Sequence, residues 1–197
     1  MTFRLGLTGS IGMGKSTTAR LFAEAGCAVW DADAAVHRLY AGGGAAVEPV
    51  ARAFPDAIED GAVSRSRLKA IIGRDPQALK RIEAIVHPLV AQDRAAFLSG
   101  TDADIAVLDI PLLYETGGER DMDAVVCVSV DAQTQHRRVI GRGTMTEAQF
   151  AAILAQQLPD AEKRARADFV IITDTVEHAR AQVQDVVAQI RERINHA

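Results

Sequence analysis

The residues best able to do chemistry in this chain lie in one run near its start, Gly9-Ser10-Ile11-Gly12-Met13-Gly14-Lys15-Ser16. Its glycines let the backbone curl without Cβ clashes, so that successive N–H groups can turn inward onto phosphate oxygens. Lys15 has the reach to meet β- and γ-phosphates, and Ser16 offers a hydroxyl to Mg²⁺. The spacing G-x-x-x-x-G-K-S is that of a P-loop and implies a site for a nucleoside triphosphate. Groups further along could complete such a site. Asp33 could accept the proton of an attacking hydroxyl, Asp109 could hold Mg²⁺ directly or through water, and Arg138 and Arg142 could neutralise phosphate charge.

These side chains are of use only if the right elements present them. Residues 3–8 read as a short apolar strand, and Ala19, Leu21, Phe22 and Ala23 as part of a helix, which is the strand–loop–helix context a P-loop requires. The helix that opens near Lys15 adds its positive end to the phosphate site. Residues 27–30 read as a buried parallel strand ending in Asp31-Ala32-Asp33. In a doubly wound sheet, ligands sit outside the carboxyl ends of the strands, so Asp33 is expected at the site. Asp31 could join it there, and the alternative for either aspartate is to N-cap a helix at 34–40. The next strand, 104–110, carries Asp109 at its end in a Walker-B pattern. Strands at 124–130 and 169–172 and a long amphipathic helix at 175–194 complete the core.

Between the second and third strands, residues 45–100 carry only helical patterns, at 45–54, 64–72, 75–86 and 88–98. Asp75-Pro76 is a helix start, and His87-Pro88 is expected to end the helix before it. Gly42-Gly43-Gly44 reads as the most flexible point of the chain. Helices at 134–141 and 146–158, the second opening with the capping box Thr146-Glu147-Ala148-Gln149, flank Gly141-Arg142-Gly143 and resemble a hinged lid. The expected architecture is α/β, a P-loop NTPase three-layer fold with a parallel five-stranded sheet, a helical substrate-binding insertion and a helical lid. Its core would be 1–31 with 104–133 and 164–197, its acceptor domain 32–103 and its lid 134–163.

Composition bounds the function classes. The chain has 197 residues, 48% of them hydrophobic and 24% charged, enough to bury a sizeable core. A net charge of −4 argues against a general nucleic-acid surface. The absence of an apolar run near 18 residues, and of a leader before the first strand, argues against a membrane partner and predicts a cytoplasmic protein. Cys27 and Cys127 stand alone in apolar segments and read as small buried hydrophobes. Against the acidic total, six basic residues and one acid lie between Arg65 and Arg81, and Arg137, Arg138 and Arg142 lie in a stretch without acids. These patches suit a phosphorylated small molecule, or are solvated helix faces. The guanine-reading N-K-x-D motif is missing, and Asp109-Ile110-Pro111-Leu112 stands where a D-x-x-G switch would. Size, insertion and arginines together fit a small-molecule kinase. The rivals are a kinase for nucleoside monophosphates or sugar acids, and a non-catalytic nucleotide-binding module.

Six stretches in order resemble the dephospho-CoA kinase family. They are residues 6–17, Asp31-Ala32-Asp33, Gly61-x-x-x-Arg65-x-x-Leu68, His87-Pro88, Pro111-Leu112-Leu113-Tyr114-Glu115, and Gln135-x-x-Arg138-x-x-x-Arg142 leading to Gln157 and Ala167-Asp168. The resemblance implies transfer of the γ-phosphoryl group of ATP to the ribose 3′-hydroxyl of dephospho-CoA, the last step of coenzyme A synthesis. By the same resemblance Asp33 is the general base, while Gly9, Gly12, Met13, Gly14, Lys15, Ser16 and Thr17 hold ATP and Mg²⁺. Arg138 and Arg142 are lid arginines; Arg65, His87, Leu113 and Glu115 shape the acceptor pocket. Glu115 is equally able to cap a helix or to salt-bridge the lid. The family often has Asn after the last strand, where this chain has Thr173. A monomer is expected, with a homo-oligomer left open.

Phosphoryl transfer has a loose transition state, so positioning and charge neutralisation should outweigh base catalysis. In a steady-state assay of ADP release, Lys15→Ala or Arg142→Ala should lower kcat by on the order of 10³ or more. Asp33→Asn should lower it by roughly 10²–10⁴; a variant keeping more than half of wild-type kcat would remove Asp33 from the mechanism.

Overall fold

The computed structural model describes residues 2–196. In chain order the elements are β1 (Phe3–Thr8), α1 (Lys15–Glu24), β2 (Ala28–Asp31), α2 (Ala32–Tyr40), α3 (Val47–Ala53), β3 (Ile58–Glu59), β4 (Ala62–Val63), α4 (Arg65–Arg74) and α5 (Pro76–Gly100). There follow β5 (Ile105–Asp109), β6 (Ala124–Ser129), α6 (Ala132–Ile140), α7 (Glu147–Gln156), α8 (Asp160–Arg166), β7 (Phe169–Ile172) and α9 (Val176–His196). The chain divides into two compact units, Met1–Trp30 with Thr101–Ala197, and Asp31–Gly100. No described helix is long and apolar enough to cross a membrane.

A parallel sheet in the order β2-β5-β1-β6-β7 organises the first unit. Every residue of β5 and β6 is buried, as their continuous apolar runs predict for strands covered on both faces. Strand side chains alternate between faces. On one face Leu5, Leu7, Val126 and Val128 pack with Leu21 and Phe22 of α1 and Val183, Val187 and Ile190 of α9. On the other, Val125 packs with Leu113 and Tyr114. Each fully buried aliphatic or Phe side chain is worth roughly 1.5–3 kcal/mol, so this double core carries the unit. The register pairs Leu7 with Asp109, which brings the end of β5 beside the loop that leaves β1.

The second unit closes on its own core of Leu39, Val50, Phe54, Val63, Leu68, Ile82 and Val86. It departs from the sequence reading in two places. Residues 45–100 are not wholly helical, since β3 and β4 pair antiparallel, with Ile58 opposite Val63. Asp60 and Gly61, at φ 49 and 76, make the turn; Asp-Gly is the local signal for it. Helix α5 runs unbroken through Pro88, replacing the two helices expected on either side of it. The proline removes one backbone donor, but Ile82 and Val86 before it and Leu89 and Val90 after it all join the same core, and that burial holds the helix together. The Gly42–Gly44 triplet forms a hydrogen-bonded turn, with Gly44 N–H donating to Ala41 O at 2.8 Å and Ala46 N–H to Leu39 O at 3.1 Å. In the first unit α8 was not anticipated.

A Cβ added at Gly61 would meet nothing within 4 Å, so only the left-handed backbone resists a side chain there. Gly61→Ala should therefore cost about 1 kcal/mol in denaturant unfolding, and a neutral result would show that the turn relaxes freely.

Candidate active site

The phosphate loop is assembled from the end of β1 and the start of α1. Gly14 is the N-cap of α1 at φ 91, makes no side-chain cap, and the first turn of the helix holds no acid. The leading N–H groups and the positive helix end are thus left for an anion. Thr18 is buried and donates from Oγ1 to the Gly14 carbonyl at 3.1 Å, which ties the helix start to the loop. Gly12, at φ 78, could not carry a side chain, because its Cβ would lie 2.5 Å from Val139 Cγ2 of α6. Met13 is 3% exposed, its thioether accepts from Val130 N–H at 3.2 Å and its own N–H donates to the Ser10 carbonyl at 3.1 Å, so this residue, expected to hold ATP, braces the loop from within instead.

Lys15 Nζ is ion-paired with Asp109 Oδ1. The Asp109 side chain is 2% exposed, and a carboxylate buried to that degree needs a cationic or hydrogen-bonding partner. Ser16 is exposed at the head of α1. A hydroxyl and a carboxylate are hard oxygen donors of the kind Mg²⁺ takes together with phosphate oxygens and water. Among the described residues no group of three or more His, Cys, Asp or Glu forms a metal cage. The donor set therefore fits a cation that arrives with its nucleotide.

Beside the loop lies a cavity of about 190 Å³ lined by Gly12, Gly14, Thr17, Arg138, Arg142 and Thr173, among others. Thr173 joins its walls. Its hydroxyl donates to Met13 O at 2.7 Å and accepts from Arg138 Nη1 at 3.0 Å, while Arg138 Nη2 donates to the Thr173 carbonyl. The hydroxyl's proton and one of its lone pairs are engaged inside the protein, so Thr173 acts as a brace. Helix α6 is N-capped by Asp131, which accepts from Thr134 N–H at 2.9 Å; α7 opens with the expected capping box at Thr146. His136 and Glu147 join α6 to α7 at 2.9 Å. Arg142 is exposed just beyond α6.

The second unit holds a largely apolar cavity of about 470 Å³, and Asp33, Arg65 and His87 all line it, with Lys69. Asp33 is exposed in the first turn of α2; Asp31 is the N-cap, accepting from Ala34 N–H at 2.9 Å. That resolves the two readings of Asp31 in favour of capping. Arg65 lies 5.9 Å from the Tyr40 ring centroid. Burial lifts the Tyr40 phenol above its ordinary value, and Arg65 opposes that lift. Two other members of the basic run serve the fold. Arg67 donates to Ile58 O and Glu59, and Arg81 stacks on Phe54 at 4.5 Å.

Leu113 and Glu115 lie in the first unit. Leu113 is fully buried, and a Cβ on Gly6 would come within 2.8 Å of it, so it is a core residue seated on β1. Glu115 accepts from Leu158 N–H at 2.9 Å and is ion-paired with Lys163 at 2.8 Å, which realises its salt-bridge alternative. Lys163 is wholly buried and had no sequence signal, since a lysine in a charged stretch reads as solvated. Burial pushes the Glu115 carboxyl up, but Lys163 and the Leu158 N–H outweigh it and hold the group below its ordinary value. Burial also pushes the thiols of Cys27 and Cys127 up to about 11 and about 12, which leaves both inert.

The family model for dephospho-CoA kinase matches residues 3–178. A dephospho-CoA kinase from Ruegeria pomeroyi is 70% identical over 197 residues, covering 100% of both chains. One from Cereibacter sphaeroides is 64% identical over 190 residues, covering 96% of each. A crystal structure of a Thermus thermophilus protein superposes with a TM-score of 0.85 at 32% identity, over 95% of this chain and 97% of that one.

Removing one partner of a buried ion pair typically costs about 3–5 kcal/mol, so Lys163→Met should destabilise the chain on that scale in urea unfolding at pH 7. A depressed carboxyl contributes stability that is present above its unfolded value, 4.5, and lost as pH falls through the folded one. The gap between wild type and Lys163→Met should therefore narrow below about pH 4.5; a constant gap would contradict the pairing.

Proposed function

This chain belongs to the dephospho-CoA kinase family and catalyses the ATP-dependent phosphorylation of dephospho-CoA in coenzyme A biosynthesis, and from that premise we propose the residues that perform it. ATP lays its phosphates on the N–H groups of Gly12 and of Gly14 to Thr17, with Lys15 on the β- and γ-phosphates; the Met13 N–H is already given to the Ser10 carbonyl. The observation that carries this reading is the uncapped start of α1, adjoining a cavity that Arg138 and Arg142 line. The nucleoside end takes that cavity and is held by backbone groups and the arginine stems, because the Thr173 hydroxyl is already committed.

Ser16 and Asp109 would hold Mg²⁺. Bound there, the ion would neutralise charge that develops on the phosphates. Lys15 then exchanges Asp109 for phosphate oxygens. Dephospho-CoA takes the apolar cavity of the second unit, where Arg65 and Lys69 meet its diphosphate and His87 lines the wall. Asp33 accepts the proton of the ribose 3′-hydroxyl as that oxygen attacks the γ-phosphorus. Arg138 and Arg142 neutralise the transferring group and displace water from it. These assignments make residues 32–103 the acceptor domain and 134–163 the lid.

Incubation with ATP and dephospho-CoA, followed by product analysis, should give ADP and a new phosphate on the 3′-hydroxyl; phosphate elsewhere would overturn the assignment of the attacking oxygen. Shikimate, gluconate and nucleoside monophosphates should release no ADP above background. Arg65→Ala should raise KM for dephospho-CoA roughly tenfold or more, the scale of one charge-assisted hydrogen bond, with KM for ATP nearly unchanged. An equal rise in both would contradict its place in the acceptor cavity.

A further inference from the structure

The peptide units on either side of Ile11 are gripped by two glutamines from the helical pair. Gln135, on α6 and 6% exposed, donates from Nε2 to the Ile11 carbonyl at 2.8 Å. Gln157, just past α7, accepts at Oε1 from the Ile11 N–H at 3.2 Å. A trans peptide is planar, with its C=O and N–H directed to opposite sides. Gln135 therefore fixes the plane of the Ile11–Gly12 peptide and sends the Gly12 N–H away from itself. Gln157 fixes the Ser10–Ile11 peptide, whose carbonyl at the other end accepts from Met13 N–H at 3.1 Å. Gly12 in turn lies against α6, whose Gln135 carbonyl would be 3.2 Å from any Cβ there. The arm bearing Gln157 is itself fixed, because the next residue, Leu158, gives its N–H to Glu115.

We propose that Gln135 and Gln157 are positioning residues that hold the Ile11 backbone so that the Gly12 N–H faces the triphosphate, one acting as donor and the other as acceptor. This rests on the reading of the loop as the ATP site and says nothing of the acceptor. The clamp also gives Glu115 its part, since that carboxylate keeps the Gln157 arm against the loop. The stretch carrying Arg138 and Arg142 is thereby fastened to the phosphate loop at both ends.

The roles are opposite, and substitution by Glu separates them. Glu keeps an acceptor but loses the amide donor, and at either position the added charge adjoins Ile11, where the present bonds are 2.8 and 3.2 Å. The experiment uses the intact chain, a fluorescent ATP analogue for binding, and steady-state kinetics with dephospho-CoA. Gln135→Met and Gln157→Met should each weaken analogue binding and lower kcat/KM for ATP by roughly 3- to 15-fold, the scale of one net hydrogen bond. KM for dephospho-CoA should stay within about twofold. Gln157→Glu should bind the analogue at least about fivefold better than Gln135→Glu. Equal binding by the two Glu variants, or better binding by Gln135→Glu, would overturn the clamp, as would a matching rise in KM for both substrates. Binding is read without acceptor, so a wild-type chain that binds ATP but leaves dephospho-CoA unphosphorylated would sink the kinase assignment and still decide the clamp.

Discussion

A row of backbone N–H groups binds phosphate only if the peptides carrying them all face one way, and the first unit is arranged to impose that. No side chain of the loop can do so, since the useful donors are in the main chain. The direction has to come from whatever holds the carbonyls behind them and the helix ahead. Thr18 holds Gly14, Thr173 holds Met13, and the sheet register holds Asp109 against Lys15. The two face cores matter to the site for this reason. They fix β1, and with it the origin of the loop, to within the tolerance of a hydrogen bond.

The buried ionic groups around the sheet follow the same logic. Asp109 and Lys163 are each almost or wholly removed from water and each has an opposite charge against it. A pair of this kind adds little net stability over apolar residues of equal size, but it is costly to break. It therefore specifies which segment lies where. The Lys163–Glu115 pair keeps the segment after α7 in register with the loop at 111–115. The Lys15–Asp109 pair keeps the lysine at the mouth of the loop, with Asp109 as its counter-charge. The second unit places its charge differently. Its core is apolar and self-contained, and the groups suited to an anionic acceptor stand on the rim of a greasy cavity.

Much of this was legible in the residues taken in order. The strand–loop–helix signature, the apolar runs of β5 and β6, Asp109 at the end of its strand and the capping box at Thr146 are local patterns, and each has a local cause. The Asp60-Gly61 turn is equally local, but the helical pattern of the residues around it masks it. Pro88 misled for the opposite reason. Its steric signal is real, but the core contacts of α5 on both sides outweigh it.

Which side chains meet was another matter. Leu113 and Glu115 sit in one contiguous motif, yet the first is spent on packing against Gly6 and the second on a lysine 48 positions later. Asp31 and Asp33 are two residues apart and indistinguishable by type, and only the cap bond to Ala34 separates them. The sequence alone determined the kind of chemistry, because a phosphate loop is a property of glycine spacing and of the helix that follows it. The tertiary structure alone decided the partners of Thr173, Lys163, Gln135 and Gln157. A hydrogen bond between residues brought together by the sheet depends on distances that no stretch of sequence contains.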